Sequence, residues 1–417
     1  MTKRAKQVRW LIVNLCRLLL SFTFLFSGLV KLIDPRGTQY KIEDYVVGFG
    51  LPMFDTPLTP LALAVILALV EFYIGFNLFF GIRRRTTSRL ALCLLLVMTP
   101  ITFYLALSNA ISDCGCFGDA LRLTHWQTFG KNVVLLVAAI VVVKYYRKLT
   151  RFITERNQWL LSLYALVFAL FLAIYNIRHL PVIDFRPYYV GVDLPKAIEA
   201  EWERGDGEMQ YLDFGFQSLE GEDLTFDWIG QKGYKFLLVT PWLEQADDGP
   251  MDKINALYDY CQEHGYPFLA LTSSLPESID RWKDLTGAEY DFALADGTML
   301  KTIIRSNPGL LLMRDGIIYQ KWAASDIPNV VGLTTPLEEN RLGQMQVHSR
   351  IQTIWKLFLW FFLPILLWTL IDRIWVGHTF YERYKIHRHI EHSKLNIEKG
   401  PSLTPVRGRR ESKLLSY

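Results

Sequence analysis

The sequence predicts an α-helical membrane bundle, with six transmembrane helices, joined to an α/β domain outside the membrane. Three observations carry this: six apolar windows of spanning length, basic residues gathered in alternate loops, and a run of strand and helix patterns between the fifth and sixth windows. The 417 residues are 51% hydrophobic with a mean hydropathy of +0.17. That average hides a division between very apolar and ordinary soluble stretches.

A helix needs about 20 apolar residues to cross a hydrocarbon layer about 30 Å thick. Windows of this kind lie at 10–33, 57–80, 90–107, 133–143 with its flanks, 160–177 and 354–371. The fourth has the shortest strictly apolar run and needs Phe129 and Tyr145 or Tyr146 at the interfaces to span. Lys3, Arg4, Lys6 and Arg9 precede the first window, Arg83, Arg84, Arg85 and Arg89 follow the second, and Lys144, Arg147, Lys148, Arg151 and Arg156 follow the fourth. The positive-inside bias places these segments in the cytoplasm. Six crossings then return the basic tail to the same side, with both termini cytoplasmic in a bacterial inner membrane. A basic start before an apolar run also fits a signal peptide, but the run is longer than a signal core and lacks a clear small-residue cleavage site, so helix one is expected to stay. The net charge of +4 reflects this sidedness, and no nucleic-acid motif accompanies it.

The same topology puts 113–125 and 178–350 outside, in the oxidising periplasm. Two of the five cysteines, Cys114 and Cys116, stand there in the run "DCGCFGD". Residues two apart lie within or near the roughly 4.4–6.8 Å Cα window of a disulfide, and Gly115 permits the dihedrals of so small a ring. A strained, exposed bridge is readily reduced, which suits exchange. Structural pairing and half of a metal site are the other readings. A metal would want about four ligands, and beyond Asp113, Asp119 and His125 no second Cys or His cluster follows, so no metal is expected. Cys16 and Cys93 read as lipid-facing or core hydrophobes.

Glu71 stands near the middle of the second window. An intramembrane carboxylate costs about 2.5–3.5 kcal/mol on insertion scales unless it faces the bundle interior with a partner. It is therefore either a functional group or an interhelical clamp, with Asn77 or a Ser or Thr of another helix as partner. Asp34, before Pro35, is expected to cap the end of helix one.

The segments "FSGLVKLIDP", "LVEFYIGFNLFFGI" and "DCGCFGD" together resemble the DoxX-like and MauE-like membrane family, which includes the methylamine-utilisation membrane protein, over residues 8–147. The resemblance implies a four-helix membrane domain associated with disulfide formation or quinone-linked electron transfer, with Cys114 and Cys116 as the redox pair and Glu71 at the family's acidic position. A quinone is thus the cofactor it implies. No CxxC follows at the next helix, so the electron acceptor is not identified.

Beyond a fifth helix at 158–178, residues 179–350 read as the extracytoplasmic domain. A linker at 190–200 precedes strand patterns at 209–214, 235–242, 267–274 and 309–322, the last a hairpin turning at Asp315-Gly316. Met251, Ile254, Leu257, Tyr258 and Cys261 recur at helical spacing between the second and third. "SNPGLLLMRDGIIYQKW" is similar to the stretch where the thioredoxin-like fold places a cis-proline before a hairpin, which implies a cis bond at Pro308 and a groove that receives an extended partner. Where that family carries CxxC, this chain reads "PWLEQADDGP". Exchange needs a thiolate, so this domain is expected to have no dithiol activity, with Cys261 in its core. A sixth helix at 352–372 and a basic tail at 373–417, lying on the membrane surface or without order, complete the expected domains. The preferred function is an inner-membrane thiol-disulfide or electron-transfer protein exchanging with a periplasmic protein thiol. The alternative is a non-enzymatic scaffold or assembly factor that binds an envelope partner.

Overall fold

The computed structural model describes residues 3–50, 58–109, 115–205, 210–345 and 349–398. It divides into two compact units, Met1–Phe362 and Leu363–Tyr417.

The first unit opens with α1 (Lys3–Ile33), α2 (Pro35–Gly48), α3 (Leu58–Phe80), α4 (Arg84–Ser108), α5 (His125–Lys144) and α6 (Gln158–Arg178). Among the described residues six helices are long and apolar enough to cross a membrane, namely these except α2, together with the final helix α12 (Arg350–Glu398). The chain is a multi-pass membrane protein. α5, the weakest window by sequence, gains length at its start: Thr124 and Gln127 form a capping box that satisfies the first-turn amides. α1 and α3 cross closely because Gly28 and Gly75 carry no side chain; a Cβ on Gly28 would lie 2.5 Å from Phe72 N, and one on Gly75 2.5 Å from Leu25 N. Leu20 and Phe24 of α1 then pack with Ile74 and Leu78 of α3 and Leu135, Ala138 and Val142 of α5.

The basic loops after α3 and α5 meet at one end of the bundle. Arg17 Nη1 donates to Thr150 O at 2.6 Å, and Arg84 Nη1 to Leu149 O at 2.7 Å. At the other end sits α2, in the stretch between the first two apolar windows that the sequence predicts as loop. Asp34 N–H closes α1 on Val30 O, but the Asp34 carboxylate accepts from Gly37 N at 2.8 Å and caps α2 instead of the end of α1.

The sheet domain follows α6. Its elements are α7 (Leu194–Arg204), β1 (Phe216–Gln217), α8 (Thr225–Gly230), β2 (Tyr234–Thr240), α9 (Met251–His264), β3 (Phe268–Thr272), α10 (Pro276–Thr286), β4 (Asp291–Ala295), α11 (Gly297–Ile303), β5 (Gly309–Arg314) and β6 (Ile317–Ala323). The sheet order is β1-β4-β3-β2-β5-β6. β2, β3 and β4 run parallel, connected through α9 and α10, and β5 and β6 add antiparallel at the other edge of β2. Every residue of β2 is buried, as a strand covered on both faces requires. Phe236 and Leu238 face a core with α9 and α10, while Leu237 and Val239 face one with α7 and α11. This is an α/β domain, and its Asn307–Pro308 peptide is cis, as the resemblance implied.

Three readings of this region change. The 190–200 linker is largely helix, because the Asp193 carboxylate caps α7. Residues 210–214 form no strand: Glu201 accepts the N–H groups of Gln210, Tyr211 and Leu212 at 2.6–2.7 Å, so those donors are spent on a carboxylate and not on a ladder. Met209 of that expected strand lies outside the described residues. β4, "DFALA", went unread. It is five residues long, with Asp291 at its exposed end.

α12 begins in this unit, where Phe361 packs on Phe168 of α6 and Phe72 of α3, with ring centroids 4.5 and 5.5 Å away. In the second unit the described residues stay helical past the expected end at 372, as far as Glu398. No proline intervenes between 372 and Glu398.

Candidate functional site

The loop that leaves α4 and enters α5 carries Cys116. Cys114 and Asp113 lie outside the described residues. Gly115 adopts φ +60°, and a Cβ there would lie 3.0 Å from Lys41 Cγ, so the α2 lysine stem covers a position that suits glycine alone. Phe117 is buried, with Phe26 at 5.4 Å between centroids and Lys131 Nζ 4.2 Å above the ring.

Beneath this loop Ser27 and Lys31, one turn apart on α1, face Glu71 of α3. Lys31 Nζ lies 2.6 and 2.8 Å from the two Glu71 oxygens and 3.0 Å from Ser27 Oγ. Lys31 is 4% exposed and Glu71 6%, so each charge has the other as its partner inside the bundle. Ser27 Oγ is 2.7 Å from Glu71 Oε2 and 2.7 Å from the Cys116 carbonyl oxygen, and donates its single proton to one of them at a time. A largely apolar cavity of about 270 Å³ adjoins these groups, with Glu71, Lys31, Ser27 and Cys116 on its wall and Leu67, Leu95 and Met98 among its apolar lining.

Above the loop, Arg305 descends from the sheet domain just before Ser306-Asn307-Pro308. Its Nη2 is 2.7 Å from Asp119 Oδ2 and its Nε 3.1 Å from Asp34 Oδ2. Burial alone would lower the guanidinium pKa, but the charges of Asp34 and Asp119 hold it above its ordinary value. One turn earlier, Lys301 Nζ lies 4.6 Å from the Tyr40 ring of α2 and 4.0 Å from that of Trp242. Trp242 follows β2, and its carbonyl accepts from Asn307 Nδ2 at 2.7 Å.

The structure thus joins Glu71 to the backbone of Cys116 through Ser27. It does not join Glu71 to Asn77, which accepts from Ser162 Oγ at 2.8 Å. Ser27 is the serine of another helix that the sequence reading allowed for Glu71, without its number; that reading missed Lys31 and Arg305. Lys31 was findable as a second charge in an apolar window, four residues from a serine. Arg305 was not, because its carboxylates stand 271 and 186 positions away. Among the described residues no three His, Cys, Asp or Glu side chains gather for a metal. Cys261 is wholly buried on α9, where burial pushes its thiol far above the ordinary range.

These features define a multi-pass membrane protein with an α/β domain docked over one interhelical loop. Residues 9–145 match the family model described as methylamine utilisation protein MauE, a match that ends with α5 and includes none of the sheet domain. A solution structure from Bacteroides thetaiotaomicron, provisionally assigned as a protein disulfide isomerase, is similar over 29% of this chain and 80% of its own, at 16% identity and a TM-score of 0.24. At that score the likeness lends no weight to either fold or activity. None of the curated proteins matches the chain.

Proposed function

We propose that this protein is an inner-membrane thiol-disulfide oxidoreductase in which Cys114 and Cys116 exchange a disulfide with a protein thiol on the periplasmic side. The observation that carries the reading is the anchoring of the Cys116 loop. Ser27 holds its backbone from below and Arg305 holds Asp119 from above. A strained two-residue bridge needs such a fixed frame to be attacked at one sulfur in a defined direction. Lys31, Ser27 and Glu71 position the loop on this reading, and the thioredoxin-like sheet domain, lacking a reactive thiol, serves as its cap. Both termini lie in the cytoplasm, consistent with basic loops gathered at the end opposite the cap.

The domains follow: a four-helix bundle at 8–147, a fifth helix at 158–178, a periplasmic domain at 179–350, a sixth helix at 352–372 and a basic segment after it. The burial of Cys261 and the lack of CxxC favour one other reading, a non-enzymatic assembly factor. Replacing both Cys114 and Cys116 by serine separates the two. Loss of function, with a mixed disulfide trapped when only one is replaced, supports exchange; unchanged function removes it.

A further inference from the structure

We propose that the cleft between α2 and α11 binds an extended segment of a soluble polypeptide. This deepens the thiol-exchange reading by giving the substrate a seat. Two hollows flank the Cys116 loop and Lys41 borders both. The inner one, about 270 Å³, is largely apolar. The outer one, about 680 Å³, is walled by Asp44, Asp213, Asp296 and Lys301, with Asp119 and Arg122 contributed by the loop itself.

The chemistry of the wall selects the occupant. The wall sets four carboxylates, Asp44, Asp119, Asp213 and Asp296, against four cations, Lys41, Arg122, Lys301 and Arg305, so an occupant of either net charge meets repulsion as well as attraction. An apolar compound would desolvate charges of both signs without replacing their hydrogen bonds. A polypeptide matches instead, because its backbone offers donors and acceptors at no net charge and its side chains supply either sign. The competing seat beside Pro308 is partly filled from within: the Asn307 carbonyl accepts from Asp247 N–H at 3.0 Å, and the Trp242 carbonyl accepts from the Asn307 side-chain Nδ2 at 2.7 Å. Those two backbone acceptors are spent.

The test uses the full chain in nanodiscs with Cys114→Ser and Cys116→Ser, so that binding is read without exchange. The probes are a fluorescent mixed-charge decapeptide containing one cysteine, its serine counterpart, and glutathione. Both peptides should bind saturably, and Thr298→Trp, which fills the exposed mouth of the cleft, should raise Kd at least tenfold. Asp213→Arg, also at an exposed position, should weaken binding of a lysine-rich variant of the peptide and strengthen that of a glutamate-rich one. Equal affinity in Thr298→Trp, or equally potent competition by glutathione, would overturn the proposal. Disulfide exchange with dithiothreitol is measured separately on the chain with its cysteines intact. Exchange without peptide binding sinks the cleft alone, whereas binding sensitive to Thr298→Trp without exchange sinks only the thiol reading.

Discussion

Arg305 and Asp119 lie 2.7 Å apart, a contact that ties the sheet domain to the loop bearing Cys116. The same guanidinium reaches Asp34 at the junction of α1 and α2, so one buried side chain fixes three segments. Arg305→Ala would leave the buried Asp34 without its cation and Asp119 with only Arg122, 3.9 Å away, a loss of about 3–5 kcal/mol. Thermal unfolding in nanodiscs should show a lower midpoint and Cys116 should alkylate faster. Arg305→Lys should recover only part of either effect, since an ammonium lacks the fork that spans both carboxylates. Unchanged alkylation in Arg305→Ala would separate the latch from the loop.

The Lys31–Glu71 pair makes a second expectation, because both side chains are nearly buried and each has the other as its charged partner. Lys31→Met or Glu71→Leu alone should destabilise the bundle by about 3–5 kcal/mol, while the double change Lys31→Met with Glu71→Leu should cost markedly less. A double-mutant cycle on unfolding midpoints reads this directly, and additive losses would contradict it.

Gly28 and Gly75 face backbone atoms of the opposing helix. Alanine at either should push α1 and α3 apart at a cost of about 1–3 kcal/mol, with Gly28→Ala also loosening Ser27 from Cys116. Wild-type stability in both variants would mean the helices yield without penalty.

Asp184 supplies a pH dependence. It lies 2.9 Å from Arg186 and 3.0 Å from Lys321. Burial would raise its carboxyl pKa, but the two cations outweigh that and hold it well below the usual carboxylate range. Its contribution is full above the unfolded-chain value of about 4 and is lost as pH falls from there toward the folded value. Asp184→Asn should therefore flatten the acid limb of the stability profile and lower stability at neutral pH, where Lys321, 3% exposed, loses its charged partner. An unaltered acid limb would rule this out.

Cys261 should resist alkylation in the folded protein and react only on unfolding, with Cys261→Ala leaving exchange intact. Rapid native labelling at this position would place the thiol outside the core.

The sequence by itself determined whatever depends on local chemistry. Spanning helices were legible because apolar length is a property of consecutive residues, and the two central strands because all their side chains are buried. The hairpin was legible because Asp315 and Gly316 both take positive φ at its turn. Glu71 stood out because any carboxylate in such a window demands a partner. What that partner was, only the tertiary structure decided. Lys31 and Ser27 meet Glu71 because Gly28 and Gly75 let two helices close to backbone contact, and Arg305 meets Asp34 and Asp119 because the sheet domain folds back over the bundle. One failure was more local: 210–214 had a strand's pattern, but Glu201, nine to eleven residues upstream of the bonded amides, took them. Pairings between remote residues leave no periodic trace in the chain, since their energy comes from burial that exists only once the segments have packed.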